Sequence, residues 1–404
     1  MLMKNSNRIM FVTPYNPYGD AYGAQIRTFN IGRALCEIAK VTLVLVHLWE
    51  KWDSTSNIIS NALTEYSDIK ILHLHEMSER SLYQKLRRNF GSGIENAFSL
   101  TCEQDEIRSF FELTEKNDLI WYHGLRALSA LGVNDKVKTF VDIDDIPSQL
   151  LESEARVRAG SLNSIKLLTQ ASAWRHREHY LPYRFDGLGV CSELDRDYLG
   201  NHPCIHVIPN GFDKPTEIRE YIPVRPVRIG FIGTFNYQPN IDGVNWFIRN
   251  VWPRIKEKIP TARLRLVGSG SDSGIADSAM DVDGLGFLAE TSDEIATWSM
   301  MIVPVFVGGG TRLKIAEGFS RRCPVVSTSL GAYGYDVSDG KELLIADTVE
   351  MFTEACLRII GNPSYADEIT QRALHKFLTN WTWDAIYPRV WEATEDCLRR
   401  SSIV

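Results

Sequence analysis

The sequence predicts an α/β fold in which parallel sheets are wrapped by helices, arranged as two successive units. Three observations carry this. Short apolar, β-rich runs alternate with longer amphipathic stretches from one end of the chain to the other. The alternation breaks once, at the Pro-rich, aperiodic stretch DKPTEIREYIPVRPV, and restarts at VRIGFIG. The length of 404 residues is enough for two to three domains at about 150 residues each.

RIMFVTP reads as a first buried strand, and Gln25 to Ala39, with Ile26, Phe29, Ile31, Leu35 and Ile38 at helical spacing, as the helix that follows. VTLVLVHL is a second strand. Further strands are expected at Ile69 to Leu74, Asp118 to Tyr122, Lys138 to Ile143, Gly187 to Cys191 and His206 to Ile208. After the Pro-rich linker the series resumes with VRIGFIG, ARLRLVGSG, VDGLGFL, MMIVPVF, CPVVST and ELLIA. This is the pattern of two Rossmann-like units expected to face one another. Thr382 to Leu398, with Ala385, Ile386, Val390, Trp391, Ala393 and Leu398 at helical spacing, reads as a terminal helix. The expected organisation is residues 1–213, 214–381 and 382–404.

Apolar residues make up 44% and charged residues 24%, which is ordinary globular usage. A net charge of −7 supplies no global basic field, so nucleic acid is not the expected partner. No apolar run approaches the roughly 18 to 20 residues that span a bilayer. The start of the chain lacks the apolar core and cleavage site of a secretory signal, which argues against export. Seven scattered cysteines, never in a C-x-x-C pair, read as core thiols in a reducing cytoplasm. The pairs His73/His75, His176/His179 and His202/His206 lack carboxylate or Cys company at ligand spacing, so no metal is expected.

The most informative segment is Met300 to Val337. Gly308, Gly309 and Gly310 allow close backbone approach to a ligand, and Thr311 can cap the next helix so that its free N–H groups point at an anion. Arg312 and Lys314 place two cations in the first helical turn, where the helix dipole disfavours them unless an anion sits among them. That misfit suggests a bound diphosphate. Glu317, three residues beyond Lys314 and on the same face, can accept hydrogen bonds from sugar hydroxyls. A glycine loop followed by a solvated Arg/Lys/Glu face is the plainer alternative.

With RIMFVTPYNPYGDAYGAQIRTF, VIPNGFD, IGFIGTFNYQPNIDGVNWF, LVGSG, DGLGFL and the Gly-Gly-Thr-Arg-Leu-Lys block, nearly the whole chain resembles the retaining glycosyltransferases of the GT-B fold, and among them glycosyltransferase family 4, the group 1 transferases. The resemblance implies sugar transfer from a nucleotide diphosphate sugar, with retention at the anomeric carbon, in a cleft between two Rossmann-like domains. The C-terminal domain would hold the donor and the terminal helix would cross back to brace the N-terminal domain. No cofactor is implied, and the donor would be a UDP- or GDP-sugar. Two departures stand out. Many members carry paired glutamates; Glu317 matches the second, but the first position is Gly309. Many also carry an Arg and a Lys just after the first strand of the donor domain, whereas here that loop, beginning Gly233-Thr234, reads GTFNYQPN with no cation. Arg312 and Lys314 are therefore the candidates to supply the charge, and Glu317 would bind the ribose.

The loop from Gly19 through Gly23 to Arg27 opens a helix and could approach the donor phosphates, or be an ordinary strand-helix turn; Arg27 is a candidate phosphate or acceptor contact. VDIDDIPS puts three carboxylates at a strand end, the usual place for ligand chemistry in parallel sheets. A metal-gripping D-x-D belongs to the other glycosyltransferase fold, GT-A. The resemblance places Asp144 or Asp145 where family members often carry a His near the transferred sugar, and a carboxylate there could take the acceptor proton. Helix capping by Asp145 with Ser148 is the alternative. His123, after DLIWY, is a second catalytic candidate. Asn210 in the turn Pro209-Asn210-Gly211 marks the cleft floor by resemblance, while Gly268 and residues 284–287 are loops expected near the nucleotide base. Ser192 with Asp195 reads as a helix cap.

Basic residues gather at Arg80, Lys85, Arg87 and Arg88, and again at Arg156, Arg158, Lys166, Arg175, Arg177 and Arg184, interleaved with Leu82, Tyr83, Phe90, Leu167, Leu168 and Trp174. A membrane-surface helix meeting a lipid-linked acceptor has this composition, and so does a solvated helix face. The expectation is a cytoplasmic, metal-independent, retaining transferase building a surface glycan, either free in the cytoplasm or peripheral to the inner face of the membrane, with a glycan or lipid-linked acceptor and no covalent nucleophile. A sugar-nucleotide epimerase or phosphorylase on the same scaffold, and a non-catalytic nucleotide-sugar-binding protein, are the rival readings.

Overall fold

The structure is a computed structural model that describes residues 7–18, 23–47, 55–76, 93–94, 97–98, 100–218 and 225–400. The chain forms two compact units, Met1–Asn210 with Ile386–Val404, and Gly211–Ala385. The segment Gly19 to Tyr22, the basic cluster Arg80, Lys85, Arg87 and Arg88, and residues 219–224 of the linker lie outside the described residues.

The N-terminal unit contains β1 (Arg8–Thr13), α1 (Gly23–Ile38), β2 (Lys40–His47), α2 (Thr55–Glu65), β3 (Asp68–His73), β4 (His75–Glu76), β5 (Leu100–Thr101), α3 (Gln104–Thr114), β6 (Leu119–His123), α4 (Leu125–Leu131), β7 (Lys138–Ile143), α5 (Pro147–Val157), α6 (Leu162–Arg184), β8 (Gly187–Val190), α7 (Glu193–Tyr198) and β9 (Ile205–Val207). Seven of the described strands form one sheet in the order β3-β2-β1-β6-β7-β8-β9. Every pairing in it is parallel, with Ile9 opposite both Val41 and Leu119. Strands covered by helices on both faces must be apolar on both, which is why RIMFVT and LIWY are continuous runs rather than alternating ones. From β1 the sheet grows outward to β3, then restarts at β6 on the other side, so β1 and β6 flank the point where strand order reverses. Ser192 caps α7 as expected, accepting from the N–H of Asp195 at 3.1 Å and donating to its carboxylate at 2.7 Å.

The C-terminal unit contains β10 (Arg228–Ile232), α8 (Gln238–Trp246), a π-helical turn (Phe247–Val251), α9 (Trp252–Lys258), β11 (Arg263–Val267), β12 (Val282–Gly284), α10 (Ser292–Ile295), β13 (Met300–Val303), α11 (Leu313–Ser320), β14 (Val325–Ser327), β15 (Leu344–Ile345), α12 (Val349–Gly361) and α13 (Pro363–Asn380). Its parallel sheet has the order β12-β11-β10-β13-β14-β15, with the same reversal between β10 and β13. Gly230 is required inside β10 because a Cβ there would stand 1.9 Å from the Trp298 ring.

The last helix, α14 (Trp383–Arg399), joins the N-terminal unit from Ile386 onward. Ile386, Val390, Ala393 and Cys397 recur at helical spacing and are fully buried. Tyr387 donates to the Asn30 amide oxygen at 3.1 Å and the Trp391 indole to the carbonyl of Ala34 at 2.9 Å, fixing the helix on α1. All seven cysteines are free thiols, Cys36 half-buried and the others buried. Among the described residues no helix is long and apolar enough to cross a membrane.

Candidate functional site

In the C-terminal unit the chemistry-bearing residues gather at the carboxyl ends of β10, β11 and β13. The loops after β10, β11 and β12 lie backbone against backbone. Gly233 donates its N–H to Val267 at 3.0 Å, Gly268 to Gly286 at 2.8 Å, and Gly286 to the Ser271 hydroxyl at 2.9 Å. A side chain at Gly268 is excluded twice, by φ = +128° and by the Gly233 carbonyl, which would lie 2.2 Å from its Cβ. Gly268→Ala is therefore expected to destabilise the protein by about 1–3 kcal/mol. Urea unfolding reads this directly, and a midpoint unchanged from the parent would remove the close-approach argument.

The glycine loop after β13 uses left-handed backbone at Gly308 (φ = +146°) and Gly310 (φ = +61°), which explains two of its three glycines. Arg312, not Thr311, is the N-cap of α11, with extended backbone and no side-chain capping bond. The expected Thr311 cap is corrected, because the helix starts one residue later. The Arg312 guanidinium folds back on the loop, donating to the carbonyl of Gly309 at 2.7 Å and to that of Gly310, while the Arg312 carbonyl accepts from the Tyr335 hydroxyl at 2.9 Å.

Lys314 points elsewhere. Its ammonium donates to the Asn240 amide oxygen at 2.9 Å and sits 4.0 Å from the centroid of the Phe231 ring. Asn240 in turn donates to the carbonyl of Thr234 at 2.8 Å. A Cβ on Gly233 would be 3.0 Å from the Lys314 ammonium, so helix α11 delivers a cation to the Gly233–Thr234 loop, which has none of its own. Burial, aided by the nearby Arg312 charge, lowers the Lys314 pKa from 10.5 to about 7. Glu317, one turn further along α11, is buried and accepts from the Thr291 hydroxyl at 2.5 Å. Burial raises its pKa against the opposing effects of that hydrogen bond and of Arg321.

In the N-terminal unit a buried polar network lies at the carboxyl ends of β1, β6 and β7. Arg27 is turned inward. It is fully buried and forms a two-pronged pair with Asp142, at 2.5 and 2.9 Å, while its remaining arm donates to the carbonyls of Ile208 and Pro209 and to the Asn210 amide oxygen. Asn210 is likewise turned inward: its amide donates to Asp144 at 3.0 Å. Both are residues expected to contact substrate, and both are engaged inside the unit, Arg27 because the buried Asp142 carboxylate must be paired and Asn210 by its bonds to Arg27 and Asp144. Asp144 also accepts from the Cys191 thiol at 3.3 Å; burial raises its pKa, but Arg27, His123 and these hydrogen bonds together hold it below the usual carboxylate range.

Asp145, next along, is exposed. It does not cap α5, which starts at Pro147 with Ile146 as N-cap and no side-chain capping bond, and the Ser148 N–H donates instead to Glu178 at 2.9 Å. His123 is fully buried at the end of β6, with Nδ1 2.7 Å from the Thr28 hydroxyl and its ring 5.3 Å from that of Tyr15. Thr28 also lies 2.8 Å from the carbonyl of Ala24, and the His123 Nε2 has no hydrogen-bond partner among the described residues. Burial lowers the His123 pKa, keeping the ring neutral. Gly23 is the first, exposed residue of α1.

Residues 226–362 match the family model described as Glycosyl transferases group 1. The match covers the loops after β10, β11, β12 and β13, α11 and the strands that carry them. This segment is a group 1 glycosyltransferase domain. A curated relative, the uncharacterized 44.6 kDa protein in the cps region of Klebsiella pneumoniae, is 24% identical over 173 residues, 40% of this chain and 44% of the relative, so the chain spans less than half the length of the relative it matches. Among solved structures, sucrose-phosphate synthase from Thermosynechococcus elongatus is similar with a TM-score of 0.67 at 14% identity, covering 98% of this chain and 100% of that one. HepE from Anabaena, in complex with UDP and glucose, has a TM-score of 0.59 at 14% identity over 96% and 99% of the two chains. A TarM variant from S. aureus, in complex with UDP, fondaparinux and alpha-GlcNAc-glycerol, has a TM-score of 0.62 at 12% identity over 98% and 100%. The fold is GT-B.

Asn240, Thr291 and Phe231 hold Lys314 and Glu317 in this glycosyltransferase domain, and sequence reading assigned them nothing. The Asn in QPNIDG carries no pattern of its own. Only the meeting of α8 with α11, 74 residues apart in sequence, exposes its role. Asp142 was read as one of three similar carboxylates, and its difference lies in burial.

Proposed function

We propose that the protein transfers a sugar, with retention at the anomeric carbon, from a UDP- or GDP-sugar to a glycan or lipid-linked acceptor in the synthesis of a surface polysaccharide. The observation that carries this reading is the Lys314 ammonium brought onto the Gly233–Thr234 loop beside the glycine loop 308–310, with Glu317 one turn along. Lys314, the Gly309 and Gly310 backbone and the N–H groups at the start of α11 would neutralise the leaving diphosphate. Arg312 would shape the loop that holds it. Glu317, kept in place by Thr291, would accept from the ribose hydroxyls. The acceptor hydroxyl attacks the anomeric carbon from the side that the diphosphate leaves. The carbon–oxygen bond to the diphosphate breaks, and the acceptor proton passes to a carboxylate. Asp145 is the exposed member of the strand-end pair and takes that role, with Asp144 fixing the segment. His123, whose buried Nε2 has no partner among the described residues, would hydrogen-bond a sugar hydroxyl.

The UDP in the HepE and TarM complexes and the cps region of the Klebsiella relative support a uridine donor and a surface glycan. Gly309 in place of a glutamate favours a second reading, a nucleotide-sugar-binding protein without turnover. A thermal-shift panel of UDP, GDP, CMP and dTDP with their sugars identifies the donor, because a ligand that binds only the native state raises its stability. Asp145→Asn should then slow transfer by about 10²–10⁴-fold while leaving the donor shift intact, in EDTA as in its absence. Parent turnover in that variant would remove Asp145 from the chemistry, manganese-dependent activity would overturn metal independence, and donor binding with no transfer to any glycan or lipid-linked acceptor would establish the second reading.

A further inference from the structure

Four of the exposed large apolar side chains, Val157, Leu162, Ile165 and Leu168, fall within twelve residues at the tip of the hairpin formed by α5 and α6. Leu162 is 87% exposed and Ile165 63% exposed. At about 100° per residue, Leu162, Ile165 and Leu168 line one stripe of α6, and Lys166 flanks it. The opposite face, with Ser164, Leu167, Ala171 and Glu178, is buried against the unit. The hairpin tip thus shows solvent an apolar stripe that its own fold leaves uncovered.

Cations dominate the tip beside the stripe, while Glu152 and Glu154 lie further back on α5. From Ala155 to Arg177 the chain carries Arg156, Arg158, Lys166, Arg175 and Arg177 and no acidic residue, within a protein whose net charge is −7. Arg156 and Arg175 lean on Glu152. Arg158 and Lys166, both exposed and beside the stripe, make no ion pair among the described residues. An isolated solvated helix face would not expose three branched apolar residues in register. A protein partner of the same kind as this chain would bring its own cations to the contact and be repelled.

We propose that the tip of this hairpin docks on an anionic lipid bilayer. Leu162, Ile165 and Leu168 would enter the headgroup region while Arg158 and Lys166 meet lipid phosphates, the arrangement of an interfacial amphipathic helix. The proposal is independent of the donor-site reading, since it concerns a surface with no residue in that site. It narrows the basic-segment expectation to one hairpin and adds the apolar stripe, which composition alone did not reveal.

Flotation of the full chain with phosphatidylglycerol–phosphatidylcholine vesicles and with pure phosphatidylcholine vesicles tests it. Binding is expected to the anionic vesicles only and to weaken with salt. Arg158→Gln with Lys166→Gln should reduce it about 30-fold, the equivalent of about 1 kcal/mol per cation. Leu162→Gln with Ile165→Gln should reduce it about as strongly. Both pairs are exposed, so an unchanged melting temperature is expected to accompany the loss. No binding by the parent, equal binding to both vesicles, or unchanged binding by both double variants would overturn the proposal. So would a concentration-dependent dimer in sedimentation that Leu162→Gln with Ile165→Gln abolishes, which would give the stripe to a second copy of the chain.

Discussion

Replacing Arg27 by Met is expected to destabilise the N-terminal unit by about 3–5 kcal/mol, because it leaves the buried Asp142 carboxylate without its partner. At that cost the melting temperature falls by roughly 10 °C. The loss extends beyond the ion pair, since Arg27 also holds the carbonyls of Ile208 and Pro209 and the Asn210 amide, and through Asn210 the Asp144 carboxylate. Arg27→Met with Asp142→Leu should recover part of the stability, as removing both charges costs less than stranding one. Thermal unfolding of the two variants decides it. A melting temperature for Arg27→Met within about 2 °C of the parent would mean that the pair contributes little.

Lys314→Met is expected to lower transfer by about 10²–10³-fold, the effect of removing one preorganised charge from a developing anion. Its pH behaviour is the sharper test. A lysine whose pKa falls to about 7 on folding binds fewer protons in the native than in the unfolded state between that value and 10.5, so the free protein gains stability from this group as pH rises through the window. A bound diphosphate favours the ammonium and raises the pKa again. Binding then takes up a proton above pH 7, and UDP affinity should fall as pH rises, by up to tenfold per unit. Calorimetry at pH 8 in two buffers of different ionisation enthalpy measures the proton uptake. Lys314→Arg keeps the charge and should bind with a flat profile between pH 7 and 9. A flat profile in the parent would show that Lys314 does not meet the diphosphate.

The parallel sheets were legible because buried strands leave a strong trace: IMFV, LVLV, MMIV and PVV are apolar without interruption, and each meets a neighbour in register. The glycine loop was legible for a similar reason, since positive φ at Gly308 and Gly310 has a residue signature. The start of α11 was misplaced by one residue, because Thr311 has the chemistry of a cap while the loop geometry gives that position to Arg312. Arg27 and Lys314 show the harder limit. Both are cations near the start of a helix that follows a glycine-containing loop, yet one is internal and the other reaches the candidate donor loop.

Local composition was enough to determine the α/β class, the break between the two sheets, the terminal helix and the segment 308–317, since each follows from periodicity or from a backbone conformation that few residues tolerate. Which charges face inward depended on tertiary structure. Arg27 is drawn to Asp142, 115 residues away, because a carboxylate buried at a strand end must be paired. Lys314 is drawn to Asn240 and the Phe231 face because α8 and α11 converge where the strand order of the second sheet reverses. Pairings across such distances depend on where the folded backbone brings the partners, and no local stretch of residues encodes that.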